Sequence, residues 1–168
     1  HKYVFSQIGY NLKPLDLQGA VGQVQLKKFD KIHEIRRSNY RRVADYFKNY
    51  PNDVRVVGEK EAAETSWFGV PIVCTNPKVK QGLQQHLETN GIQTRNYFAG
   101  NLLLHPAYRH LGRAKDYPNA YEVLKQVFFL GTAPALSEED LEYIGKTLHS
   151  FVVNTPIVAD GYSYTFRL

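Results

Sequence analysis

Two short stretches place polar side chains beside glycine, where the backbone turns tightly enough to aim them. In GYNLKP, Asn11 and Lys13 follow Gly9 and Tyr10 and run into Pro14. An amide donor in a fixed turn suits a phosphate oxygen, and a cation two residues on pairs with a phosphate or a carboxylate. The same asparagine also serves as a left-handed turn residue or as the cap of a following helix. In IQTRNYFAGNLLLHPAY, Arg95 and Asn101 flank a turn at Gly100. A guanidinium and an amide there could read sugar hydroxyls or a diphosphate, or could satisfy the turn and a surface ion pair. Tyr10, Phe98 and His105 are candidates for lining the same cleft.

Other chemistries lack their parts. Cys74 is the only cysteine, which excludes an internal disulfide framework and a cysteine-based zinc or iron–sulfur site within this chain. His33, His86, His110 and His149 are too scattered to read as a metal site. The net charge is +5, with Lys and Arg dense over residues 27–42. Those residues alternate with apolar ones at helical spacing, the pattern of a solvated helix face, and no nucleic-acid motif accompanies them. No run of about 18 apolar residues and no signal-peptide pattern occurs, so neither a membrane nor export is expected and the cytoplasm is the expected compartment.

The elements that must position these residues follow from periodicity. Pro14 is pre-set for a first helical position. Leu17, Ala20, Val21 and Val24, then Tyr40, Val43, Ala44 and Phe47, recur at helical spacing, with Asp30 and Lys31 as a joint or a bend between them. Gly19 and Gly22 lie on or beside the first stripe and would let another backbone approach. Residues 51–53, Pro-Asn-Asp, end the helical region. Strands are expected over 54–57, 65–75, 92–98 and 127–131. Pro71 demotes the second to an edge strand, a bulge or two pieces, and Trp67 and Phe68 are expected in the core. Helices are expected over 79–90, stopped by Asn90-Gly91, over 116–126, and after a Ser137 cap with Leu141, Ile144, Leu148 and Phe151 as stripe. The fold class is therefore α+β (α/β in the broad sense): a long N-terminal helical segment, then a small antiparallel or mixed sheet with helices on one face. We divide the chain into a lead-in and helical segment (1–50), a small α+β domain (51–153) and a tail (154–168).

Three segments carry a resemblance. GYNLKPLDLQGAVGQVQL, GIQTRNYFAGNLLLHPAY and FFLGTAPALSEEDLEY resemble motifs of the DegT/DnrJ/EryC1/StrS sugar-nucleotide aminotransferase and dehydratase family. An S-W-F-G stretch and an HKYV-like lead-in match as well. Departures are Gly19 where the family usually has Ala, and Lys13 where many members have Arg. The likeness covers roughly residues 1–153, and the FAGN tetrapeptide with the HKYV lead-in is similar to the 4-keto-6-deoxyhexose 3-dehydratase branch.

The resemblance implies the small C-terminal domain of a fold type I enzyme dependent on pyridoxal phosphate (PLP), acting in lipopolysaccharide deoxysugar biosynthesis. It also implies a CDP- or GDP-linked 4-keto-6-deoxyhexose as substrate, a homodimer, and a possible reductase partner. The positive charge suits an anionic sugar nucleotide. Asn11 is the position that matches the family's asparagine reaching the partner subunit's PLP phosphate. No catalytic residue is assigned within this chain; the His or Lys base is expected upstream, as is any iron–sulfur cluster. The chain, which has no methionine, is expected to be a fragment, inactive and without bound PLP on its own. A sugar-nucleotide aminotransferase domain and a non-catalytic interaction module on the same scaffold are the alternatives.

Overall fold

The computed structural model describes residues 14–48 and 53–154, and side chains within them up to residue 151. Among these, five helices and four strands follow one another. Helix α1 (Asp16–Lys27) and helix α2 (Phe29–Phe47) meet at Lys28. The joint thus falls two residues before the expected Asp30-Lys31. Lys28 keeps near-helical angles, and its N–H bonds Gln25 O at 3.0 Å, so the chain tightens for one turn rather than breaking.

The sheet is built from β1 (Val54–Val56), β2 (Gly69–Cys74), β3 (Thr94–Asn96) and β4 (Val127–Gly131) in the order β1-β2-β4-β3, every pair antiparallel. Alternation sends Val70, Ile72 and Cys74 of β2 and Phe128 and Leu130 of β4 to one face. Helices α2, α3 (Pro77–Thr89) and α5 (Glu138–Asn154) cover that face through Val43 and Phe47, Leu83 and Leu87, and Leu141, Ile144 and Leu148. Each pair or trio sits at helical spacing, so three amphipathic stripes meet one pleated face. Helix α4 (Pro118–Gln126) departs from the one-faced arrangement: with Pro71, Val73 and Val127 it lines a groove beside the opposite face.

Local chemistry sets the boundaries. The Asn76 side chain accepts from the N–H groups of Lys78 and Val79 at 3.0 Å, so α3 starts at Pro77, two residues earlier than expected. Pro118 likewise starts α4 two residues later than expected. Ser137 and Asp140 cap α5 reciprocally: Asp140 N–H donates to Ser137 Oγ at 3.1 Å, and Ser137 N–H donates to Asp140 Oδ2 at 2.8 Å. The Ser137 N–H and the Ser137 hydroxyl, each donating to Asp140 Oδ2 at 2.8 Å, hold the Asp140 carboxyl below the usual range.

Pro71 was expected to mark an edge or a break; instead β2 is an interior, continuous strand. The antiparallel register sets Pro71 opposite Val57, just past the end of β1. Val57 N–H donates to Pro71 O at 3.0 Å. The return bond that Pro71 cannot make is replaced by the Tyr40 hydroxyl, which donates to Val57 O at 2.7 Å. Tyr40 also stacks on Trp67, with centroids 4.0 Å apart and planes 6° apart. β2 begins at Gly69 rather than at 65, and the preceding segment is tied to the end of β4 by Thr132, whose hydroxyl donates to Trp67 O at 2.6 Å. Arg37 and Glu59 clamp the loop between β1 and β2 through two bonds of 2.8 and 3.0 Å.

Candidate functional site

The FAGN corner is made by backbone before it is made by side chains. After β3, Phe98 N–H turns back to Asn96 O at 2.6 Å, and Phe98 takes a left-handed φ of 53°. That conformation is costly for a residue with a bulky side chain. Gly100 follows at φ 65°, and a Cβ there would lie 2.7 Å from the side chain of Leu124 on α4. Glycine is required twice over, by angle and by space.

Asn101 is buried, and both ends of its amide are engaged. Its Oδ1 accepts from Leu103 N–H at 3.1 Å, and its Nδ2 donates to Ala114 O at 3.0 Å. It thereby starts the first of three short 3-10 turns and closes a loop over 13 residues of chain. His105 Nε2 donates to Ala99 O at 3.0 Å, fastening the other side of the corner. The visible work of both polar residues is to hold the turn that displays Phe98.

Phe98 leaves 70% of its surface exposed. Its ring lies 5.7 Å from Phe129 of β4 and 5.4 Å, edge-on, from Tyr97. Phe68 packs on the other side of Phe129 at 5.6 Å and is itself 62% exposed. Phe68 is therefore not a core residue, contrary to expectation. It precedes the first residue of β2, so strand alternation does not govern it. Gly69 makes the arrangement possible: a Cβ there would lie 2.5 Å from both Leu130 O and the Phe129 ring. The three phenylalanines and Tyr97 form an aromatic wall on the sheet face away from the helical core.

Positive charge borders this wall. Arg95 pairs in register with Phe129 and is exposed. The Arg36 guanidinium of α2 lies 5.9 Å from the Phe68 centroid, a cation–π contact. Arg36 Nε and His33 Nδ1 are buried without a hydrogen-bond partner, and such orphan polar atoms are rare enough to call for a ligand or a neighbour. Phe68, Tyr97 and Arg36 were missed in the sequence reading; the one available signal was the glycine after Phe68, which makes room for a ring.

Tyr10, Asn11 and Lys13 lie outside the described residues, so the structure brings together Arg95, Phe98, Asn101 and His105 alone of the expected set. Elsewhere, Lys80 is buried on α3, its Nζ donating to Leu124 O at 2.8 Å, and burial lowers its pKa. Burial pushes the Cys74 thiol up to about 12. Both belong to the helical side of the sheet and not to the aromatic wall. Among the described residues there is no cluster of three or more potential metal ligands. Lys80 is engaged away from the wall.

Comparison with known proteins gives this geometry a context. Residues 1–149 match the DegT/DnrJ/EryC1/StrS aminotransferase family. The chain is 31% identical over 159 residues to a dTDP-4-dehydro-2,6-dideoxy-D-glucose 3-dehydratase of Saccharopolyspora spinosa, covering 92% of this chain and 34% of that one. It is 30% identical to a GDP-4-keto-6-deoxy-D-mannose 3-dehydratase of Escherichia coli O55:H7, covering 83% of this chain and 37% of the relative. A solved structure of E. coli GDP-4-keto-6-deoxy-D-mannose-3-dehydratase with bound hydrated PLP superposes with a TM-score of 0.73 at 28% identity, over 88% of this chain and 38% of that one. The chain thus spans little more than a third of the relatives it matches. Sugar aminotransferases at 22% identity share the fold. By the match over residues 1–149, the chain belongs to the DegT/DnrJ/EryC1/StrS aminotransferase family.

Proposed function

We propose that this chain is the small-domain part of a PLP-dependent sugar-nucleotide 3-dehydratase, an enzyme that removes the 3-hydroxyl of a nucleotide-linked 4-keto-6-deoxyhexose. The observation that carries this reading is the FAGN corner, where a strained backbone displays Phe98 beside Phe68 over a floor of Phe129. Aromatic faces suit the apolar C–H face and methyl group of a deoxyhexose, and Arg95 and Arg36 set positive charge where a diphosphate would want it. The 3-dehydratases among the relatives, at 30–31% identity, support the same reading.

In this assignment Phe98 and Arg95 touch the substrate, while Asn101 and His105 position the corner. Tyr10, Asn11 and Lys13 approach from the preceding turn, with Asn11 directed at the PLP phosphate of a second subunit. The chain supplies a wall and no base, so alone it is inactive and does not retain PLP. The intact enzyme is a cytoplasmic homodimer that hands its product to a reductase. No helix among the described residues is long and apolar enough to cross a membrane.

The test uses the full-length enzyme with PLP, glutamate and GDP-, CDP- or dTDP-linked 4-keto-6-deoxyhexose. Loss of the 3-hydroxyl with the 4-ketone retained, read by mass and NMR, is expected. A 4-amino sugar as the accumulating product sinks the dehydratase reading in favour of an aminotransferase. Phe98→Ala should raise KM for the sugar more than it lowers kcat; unchanged kinetics would remove the corner from the site.

A further inference from the structure

Lys80 carries a positive charge where its own helix does not favour one. It lies near the start of α3, the end that already bears a partial positive charge, and it is 6% exposed. Burial opposes the charge again and lowers its pKa. None of the ion pairs among the described residues includes it. Its hydrogen bond runs instead to another helix, Nζ donating to Leu124 O at 2.8 Å. The last bond at the end of α4 joins Val127 N–H to Val123 O. The next donor in line, Phe128 N–H, already belongs to β4. Leu124 O is therefore an orphan carbonyl at the negative end of α4. A cation misplaced on α3 is well placed for α4.

The residue that receives this bond also seats the FAGN corner. Leu124 Cβ and Cδ1 lie 2.7 Å from where a Gly100 Cβ would stand, so the leucine fills the space under the glycine. Its carbonyl is held by Lys80, and its side chain supports Gly100. Between β3 and α4 the chain contains only the three short 3-10 turns, closed on themselves by the bond from Asn101 to Ala114 O. The third turn runs directly into α4, which packs against α3, β2 and β4. Helix α4 thus ties the far end of this excursion to the rest of the fold. Phe98, two residues before Gly100, holds a left-handed φ that its surroundings must enforce.

We propose that Lys80 is a positioning residue of the sugar site: its ammonium pins the last turn of α4, and Leu124 passes that position to Gly100 and the Phe98 ring. The inference rests on the reading of the Phe98 corner as a substrate wall. It adds to that wall a residue from the helical side of the sheet, which sets geometry and touches no substrate. A side chain kept for packing alone would be apolar here, since a buried ammonium costs desolvation that a leucine or methionine avoids.

The test compares the full-length enzyme with its Lys80→Met, Lys80→Arg and Phe98→Ala variants. Lys80→Met keeps an unbranched apolar stem and removes donor and charge; Lys80→Arg keeps both. Hydrogen–deuterium exchange over residues 101–105 reads the corner, because the N–H groups of Leu103, Leu104 and His105 bond within that turn. In Lys80→Met, exchange there and KM for the nucleotide sugar should each rise about tenfold, what one hydrogen bond from a charged donor is worth. Exchange in α2 and PLP affinity should stay as they were, kcat should change less than KM, and Lys80→Arg should return both readouts toward the parent enzyme. Lys80→Met added to Phe98→Ala should raise KM no further, since the two act through one ring. An unchanged corner in Lys80→Met, exchange that quickens in α2 as well, or a KM rise that adds fully to that of Phe98→Ala overturns the proposal. A loosened corner with KM raised by Phe98→Ala but not by Lys80→Met overturns it too and leaves the substrate reading standing. KM unchanged in every variant overturns both.

Discussion

The hydroxyl of Tyr40 stands in for the missing N–H of Pro71. Both address Val57 O: the backbone donor that a non-proline residue would supply is absent, and the phenol reaches the same oxygen from α2 at 2.7 Å. Burial raises the Tyr40 pKa, with the Glu59 charge adding to it, so the hydroxyl stays a donor across the working pH range. Tyr40→Phe should cost about 1 kcal/mol of stability, one net hydrogen bond. Adding Pro71→Ala should recover part of that loss by restoring the ladder donor. Thermal melts of the two single variants and the double variant check the coupling; simple additivity would mean that the two groups do not share a carbonyl.

Gly100→Ala should destabilise by about 1–3 kcal/mol, since the methyl group meets Leu124 at a left-handed φ. Pairing it with Leu124→Gly removes Leu124 Cβ, which the new methyl group would meet at 2.7 Å, and so relieves the contact and not the backbone angle. The double variant should therefore recover only partly relative to Leu124→Gly alone, in melting temperature or denaturant midpoint. Full recovery would show that space is the only constraint at this corner.

Glu59 has its pKa lowered to about 2, first by the side-chain bonds from Arg37 and then by the Thr65 N–H. The folded value lies below the ordinary one near 4.5, so the clamp contributes fully above that ordinary value. Its contribution fades as pH falls toward 2. Amide protection in residues 58–65, taken relative to the intrinsic exchange rate at each pH, should fall across that window, and Glu59→Gln should abolish that fall. The pair is solvent-accessible, so the effect belongs to the loop and not to global stability.

Asn11→Ala in the full-length enzyme separates two roles for one amide. A donor to a phosphate is worth about 1.5–3 kcal/mol, so PLP affinity should fall on the order of 10- to 100-fold. A capping role predicts lower thermal stability, by about 1 kcal/mol, with PLP binding nearly intact. Measuring both quantities on the same protein decides between them.

The parts legible in the sequence were those whose signal is local. The strand Val127–Gly131 fell where its apolar run stops at Gly131, and the Ser137 cap where an acidic first turn follows it. Pro71 was misplaced because the rule for proline in sheets counts the lost donor and cannot see a hydroxyl arriving from 31 residues upstream. Phe68 was misplaced because its type argues burial, whereas its position one residue before the strand lets it turn outward onto Phe129. At the site, the polar residues around Gly100 were visible by type. The direction of Asn101 was not: it depends on Ala114 O, brought there by a loop without periodicity.

Trp67 is the chain's single tryptophan, and it lies face to face with Tyr40 where α2 meets the sheet. Its emission therefore comes from one place, the seam between the helical segment and β2. Any of the 12 tyrosines can pass excitation to it, and the nearest is in parallel contact. A stopped-flow trace of that one indole would time the seating of α2 against the arrival of Thr132 from the end of β4, in unlabelled protein. The molecule carries its own clock for the step that joins its first third to the rest.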